Sequence, residues 1–245
     1  MTGKVTGLWR HPIKSHGREA LESVTLSPGQ TMPGDRVWAV AHEKSRADNS
    51  AWAPCQNFTL VSKVPALMAM SARLRGEDVT LSHPDRPDLT FAPDREEALF
   101  LDWVKPLMPE NRAQSARIVR VPGRGMTDSD FPSVTLCNMA SHRAVEQKMG
   151  RDLSPLRWRS NIWFDGLPLW EEFDWIGREV QVGEVVFAVR ERTERCMSVN
   201  TNPETGIRDA ETLGTLDTWG HRDFSVRAEV IQGGDIRIGD EVRAL

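Results

Sequence analysis

The segment Arg190–Gly206, RERTERCMSVNTNPETG, sets one cysteine, Cys196, directly after three arginines, Arg190, Arg192 and Arg195. Positive charge lowers a thiol's pKa and favours thiolate, the form that attacks electrophiles and binds soft metals. The competing reading is structural, because an isolated cysteine is more often a small buried hydrophobe. Cys55, in Ala53-Pro54-Cys55-Gln56-Asn57, and Cys137, in the alternating run Val134–Cys137, lack a basic neighbourhood and read as structural. Three cysteines, odd in number and far apart, give neither a disulfide framework nor paired zinc-ligand spacing.

Three further segments offer groups suited to an anion or a heterocycle. Arg10–Gly17, RHPIKSHG, presents Lys14, Ser15 and two histidines, His11 and His16, at a bend after a strand. A Lys ammonium, a Ser hydroxyl and free backbone N–H groups are what a phosphate or anionic ring needs. Taken alone, the segment reads sooner as a solvated loop after a strand, and one H-x4-H pair is a weak metal signal. In Gly34-Asp35-Arg36-Val37-Trp38, Arg36 is expected to open a strand, from which a guanidinium can reach out bidentately or pair with Asp35. In Leu156–Asp165, LRWRSNIWFD, Arg157 and Arg159 alternate with Trp158, and Asn161 could offer a donor and an acceptor to a heterocycle edge. There is no G-x-S-x-G, G-x-G-x-x-G, G-x4-G-K-[ST], H-E-x-x-H or C-x2-C sequence. Hydrolase, dinucleotide, P-loop and zinc-peptidase readings fall away in their motif-recognisable forms.

The elements that would position these groups are short strands broken by Gly and Pro. Lys4–Trp9, Ser23–Leu26 and Arg36–His42 read as strands, and Asp78–Ser82 with Asp88–Ala92 as a hairpin. A helix is expected after Pro93, capped by Asp94, with Leu99, Trp103 and Leu107 on one face. A second helix is expected over Met139–Met149, with Ala140, Ala144, Val145 and Met149 inward and Gly150 as C-cap. Glu179–Arg190 reads as a central strand pair, and Asp235–Leu245 as a hairpin of similar design. So few helices among so many strands predict a mostly β, α+β fold built from barrel-like sheets. A boundary falls in the polar stretch 112–130, giving domains over 1–115 and 116–245.

The bulk numbers set limits. The 245 residues carry a net charge of −4, which argues against a general nucleic-acid binder. No apolar run is long enough to span a membrane, and the first residues, MTGKVTGLWRHPIK, lack the apolar core of a secretory signal; a cytoplasmic protein is expected. Nine Trp and no Tyr point to large core or groove-lining residues.

In order along the chain, HPIKS (11–15), GDRVW (34–38), SVTLCNMAS (133–141), WRSNIWFDG (158–166), RCMSVNTNPETG (195–206) and GDEV (239–242) resemble the motifs of the MOSC family with its N-terminal β-barrel domain. The family includes the mitochondrial amidoxime-reducing component and bacterial reductases of N-hydroxylated bases. The resemblance implies a molybdenum cofactor (Mo-molybdopterin) with Cys196 as metal ligand. It implies Lys14, Ser15, Arg36, Arg159, Asn161 and the Arg195 of the RC motif as cofactor-binding residues, and sets Asn138 and Ser141 near the cofactor. Where the family pattern has Asp in VDP, this chain has Asn202, and Val199 and Asn200 replace Thr positions. Asn cannot act as a base, so substrate handling would differ.

The implied activity is a molybdenum-dependent oxidoreductase acting on small N-hydroxylated or N-oxide-type substrates. Without clustered cysteines for an iron–sulfur centre, electrons are expected from a separate ferredoxin- or flavoprotein-type donor. Two rivals remain open: a sulfur carrier using a Cys196 persulfide, and a non-catalytic module that binds or delivers the pterin.

Overall fold

The computed structural model describes residues 1–245. From the N-terminus, β1 (Gly3–Arg10), β2 (Glu19–Leu21), β3 (Ser23–Leu26) and β4 (Ala39–His42) precede β5 (Ser71–Arg75), β6 (Asp78–His83) and β7 (Arg86–Phe91). Helix α1 (Glu97–Val104) and β8 (Ser115–Val119) follow, then β9 (Val134–Asn138), α2 (Met139–Met149) and β10 (Ile162–Asp165). Next come β11 (Glu179–Val182), β12 (Val185–Glu194), α3 (Thr212–Asp217), β13 (Asp223–Gln232), β14 (Gly234–Arg237) and β15 (Glu241–Ala244). The fold is mostly β, as its many short Gly/Pro-bounded runs predict.

Seven strands close into a barrel in the order β10-β9-β13-β12-β11-β15-β1, with β1 pairing back onto β10. A ring with an odd number of strands cannot alternate direction throughout, so one neighbouring pair must be parallel. That pair is β9–β10, with Ile162 opposite Leu136. Parallel neighbours need a long crossover, and α2 supplies it. Asn138 caps its start by accepting the Ala140 N–H at 2.9 Å, and Gly150 ends it at φ +66°. Closure leaves the ring no free edge. Its interior is filled by alternate residues of the strands, among them Val5, Leu8, Phe164, Val180, Phe187, Val226 and Val230.

A second core lies under the antiparallel sheet β5-β6-β7, where Phe91 and Phe100 stack with centroids 5.4 Å apart and α1 covers them. Pairing interleaves the two ends of the chain. β1 lies between β10 and β15, β3 pairs with β14, and β8 pairs with β4.

Several expected elements differ. The strand expected over Arg36–His42 begins at Ala39; Arg36 sits in a turn at φ +51°. The run Asp235–Leu245 is no hairpin, because β14 pairs with β3 while β15 is taken by β11 and β1. Around α1, Asp94 is not the cap: it accepts the Trp38 indole N–H at 2.7 Å, while Glu96 reaches back to the Ala92 N–H at 2.7 Å. The buried face of α1 is Phe100, Trp103 and Val104, with Leu99 exposed. On α2 the buried residues are Ser141, His142 and Val145, so of the expected inward face only Val145 is fully buried and two polar groups join it in place of Ala140, Ala144 and Met149.

Candidate functional site

Cys196 stands at the end of β12, where the chain leaves the barrel in an extended conformation and enters a short turn over Met197–Asn200. Its thiol is exposed, 3.1 Å from Ser198 Oγ. The loop behind it is held from the first half of the chain. Arg18 donates to Pro203 O at 2.8 Å and Arg208 to Ser62 O at 2.6 Å. Gly206, at φ +68°, packs so closely on Ala66 that a Cβ would lie 2.8 Å from its Cα. The neighbouring Arg195 gives most of its donors to the protein. It donates to Trp158 O at 2.8 Å, Phe224 O at 2.7 Å and Ser225 Oγ at 2.6 Å, bracing the stacked Trp158–Phe224 pair. Burial brings its pKa down to about 10.

The segment His11–His16 is stitched to Asp35–Trp38: Arg36 N–H donates to His11 O at 2.7 Å and Lys14 N–H to Trp38 O at 2.7 Å. Asp35, fully buried, accepts the His11 N–H at 2.7 Å and pairs with Arg36. Burial would raise the Asp35 carboxyl, but Arg36 and the His11 bonds hold it well below the usual carboxylate range. His11 and His16 are buried, and burial pushes them down to about 3 and about 4. Both are neutral packing groups at pH 7.

Arg159 and Asn161 come from the end of the α2 crossover. Arg159, at φ +50°, donates one Nη2 bond to Gly17 O at 3.1 Å, while its Nη1 is buried with no partner. Burial, then the nearby Arg36 and Arg18, bring it down to about 9. Asn161 ties strands together: its Oδ1 accepts from Thr135 Oγ1 at 2.9 Å and its Nδ2 donates to Trp9 O at 3.1 Å. Ser15, Arg36 and Arg159 are three of the five non-glycine residues in the left-handed region. Such strain persists where the surroundings over-determine it and gathers at functional sites.

These segments meet around one cavity of about 470 Å³, lined by Lys14, Ser15, Arg36, Arg159, Asn161, Arg195 and Cys196. Asn138 and Ser141 do not line it. Asn138 Nδ2 donates to Glu172 at 3.0 Å and Ser141 Oγ to the same carboxylate at 2.9 Å. Burial pushes Glu172 up to about 7.

Cys55, read from the sequence as structural, faces this cavity and is exposed; burial, then Asp128, raises its thiol. Its loop carries no local signal, and only the tertiary fold brings it across from Cys196. Cys137 is structural as expected, buried and pushed up to about 12 by burial. Asp128, Arg227 and Thr193 also line the cavity and were missed. Asp128 lay in the polar stretch read as a domain boundary. Arg227 sits at a polar position of the alternating run Phe224–Val230, as Glu229 does, and so gave no signal.

The cavity is thus a concave site lined mainly by polar and charged residues, with an exposed thiol at one side and several cations around it. A buried guanidinium N–H without a partner is costly unless it meets an acceptor. The arrangement suits a ligand with an anionic group and a centre for which sulfur is a good donor.

Comparison with known proteins gives three findings. Residues 2–108 match the model of the MOSC N-terminal beta barrel domain, and residues 126–243 that of the MOSC domain. Over 108 residues the chain is 31% identical to a molybdenum cofactor sulfurase of Drosophila ananassae, a match covering 41% of this chain and 14% of that protein. The chain therefore spans only a small part of the length of that relative. The YUAD protein from Bacillus subtilis has the same overall fold, with a TM-score of 0.50 at 14% identity over 99% of this chain and 94% of that one.

Proposed function

The chain belongs to the MOSC family, and from that premise we propose that its cavity binds the molybdenum cofactor, with Cys196 as the protein's ligand to the metal. The observation that carries the reading is Arg159, which lines the cavity that Cys196 faces and keeps its Nη1 buried without a partner. The donor set fits the group. A phosphorylated pterin is anionic at its phosphate, and Lys14, Arg36 and Arg159 bring cations to one cavity. Thr193 Oγ1 is a second buried polar atom there without a partner. A thiol suits a soft, sulfur-bound metal.

The bound cofactor would supply two-electron oxygen-atom transfer, with N-hydroxylated or N-oxide-type compounds as substrates and a separate ferredoxin- or flavoprotein-type donor. The chain's own residues do the rest. Arg159 and Lys14 neutralise the phosphate, and the Asp35–Arg36 pair fixes the turn that presents Lys14 and Ser15. Asn161 has its carbonyl occupied by Thr135, so it offers a pterin no more than a remaining amide hydrogen. The Trp158–Phe224 stack, 3.7 Å between centroids, makes a rigid wall.

The test is molybdenum content of protein from a host that makes the cofactor, wild type beside Cys196→Ala. Near-stoichiometric metal in the wild type and its loss in the variant are expected. A variant with normal metal and normal turnover of an N-hydroxylated base would overturn the reading.

One observation favours a second reading: a second thiol, Cys55, faces the same cavity. As a sulfur carrier, Cys196 would hold a persulfide. Mass spectrometry showing a labile added sulfur on Cys196, with no bound pterin, would select it. Bound pterin without turnover would select a delivery module.

A further inference from the structure

We propose that Asp128 is an internal counterion that sets the anion affinity of the cavity, occupying Lys14 until an anionic ligand displaces it. The proposal rests on the reading that the cavity takes an anion, and adds what that anion must compete with. Lys14 Nζ is 2% exposed as a residue and donates to Met126 O at 2.7 Å and to Asp128 Oδ1 at 2.5 Å. Two of its three ammonium hydrogens are thereby engaged.

The two ends of this ion pair are unlike. The Lys14 side chain is sealed, whereas that of Asp128 is 49% exposed and lines the cavity. Lys14 is the partner the structure gives this carboxylate. Asp35 shows the contrast: fully buried, it is held by the His11 N–H and by Arg36 and has no freedom to leave. The backbone around Asp128 is fixed by its neighbours, since Ser129 Oγ donates to Phe131 O at 2.8 Å and bonds Ser133 Oγ at 2.7 Å. Release of Lys14 therefore needs only rotation of the Asp128 side chain, not movement of the loop.

Charge makes the competition permanent near neutrality. Partial burial opposes ionisation of Asp128, but Lys14 and Arg36 outweigh it and bring the carboxyl down to about 2. Only a ligand negative enough to replace a carboxylate on Lys14, and to engage the unpartnered Arg159, gains both contacts. Asp128 so discriminates against weakly charged or neutral occupants.

Calorimetric titration of the full-length protein with inorganic phosphate tests this. Asp128→Asn is expected to bind about tenfold tighter than wild type, since an adjacent negative charge is removed while the shape is kept. The gain should vanish in the Lys14→Met background, where Asp128 has nothing to compete for. Thermal melting by circular dichroism checks folding, and Asp128→Ser serves if the Asn variant is unstable. Equal or weaker phosphate binding by a folded Asp128 variant overturns the proposal alone, provided Lys14→Met and Arg159→Met lose binding. Phosphate affinity unchanged in Lys14→Met and Arg159→Met overturns the anion reading itself, and the counterion with it.

Discussion

Asn202 stands where the family pattern has Asp, and its surroundings account for the change. Its Nδ2 donates to Asp209 Oδ2 at 2.9 Å, and its Oδ1 accepts the Glu204 N–H at 2.8 Å. Asp209 in turn holds the buried Arg157 at 3.2 Å. An aspartate at 202 would set a second carboxylate against Asp209 and remove a donor. Asn202→Asp is therefore expected to cost about 1–3 kcal/mol at pH 7, seen as a lower denaturation midpoint. A midpoint equal to wild type would remove this account. Arg159 offers the opposite experiment. It is a buried cation without a carboxylate partner, so Arg159→Met should raise the melting temperature of the ligand-free protein while abolishing stabilisation by added phosphate. A variant that melts lower and still gains from phosphate would show Arg159 to be a structural group.

Between elements, Glu172 is the cross-link that matters most. Its carboxylate accepts from Asn138 and Ser141, fastening the turn Glu171–Trp175 to the start of α2, the crossover that makes the parallel pair possible. Burial raises its pKa from 4.5 to about 7. The folded chain therefore keeps a proton there after the unfolded chain has lost it. Stability from this group is full below about pH 4.5 and falls as pH rises towards 7, by at most about 3 kcal/mol. Glu172→Gln should remove that slope, so variant minus wild-type stability grows from pH 5 to pH 8 in urea titrations. A constant difference would mean that Glu172 is already ionised in the fold at pH 5. Gly206 links the Cys196 loop to the turn Pro65–Ala69; with φ +68° and backbone at 2.8 Å from a Cβ, Gly206→Ala should cost about 1–3 kcal/mol. Thermal melts check it, and loss of bound ligand before loss of fold would mark the loop as the part that gives way.

At the scale of the whole molecule, the site belongs to neither half of the sequence. Lys14, Arg36 and Cys55 come from the first half, and Asp128, Arg159 and Cys196 from the second. The barrel is likewise shared, since β1 lies between β10 and β15. A fragment over residues 116–245 would expose both partners of β1 as unpaired edges and lose Val5 and Leu8 from the core. It is expected to lack near-ultraviolet circular dichroism and to aggregate, where the full chain does not. A fragment that melts cooperatively as a monomer would show that β1 is an accessory strand. No helix is long and apolar enough to cross a membrane.

The sequence by itself determined the local elements and the family. Gly150 ended α2 where its left-handed cap was needed, the polar turn between β6 and β7 made their hairpin, and six ordered motifs carried the resemblance. Those signals are local: a cap, a turn or a motif acts over a few residues. Only the tertiary structure decided which groups share a cavity. Asn138 and Ser141 sit in a recognisable motif yet turn towards Glu172, because a buried carboxylate needed donors more than the cavity did. Cys55 and Asp128 carried no pattern and yet face Cys196 and Lys14. The hairpin read at the C-terminus failed for the same reason: strand pairing is settled by which edge remains open when a barrel closes, and that is not written in any short run of residues.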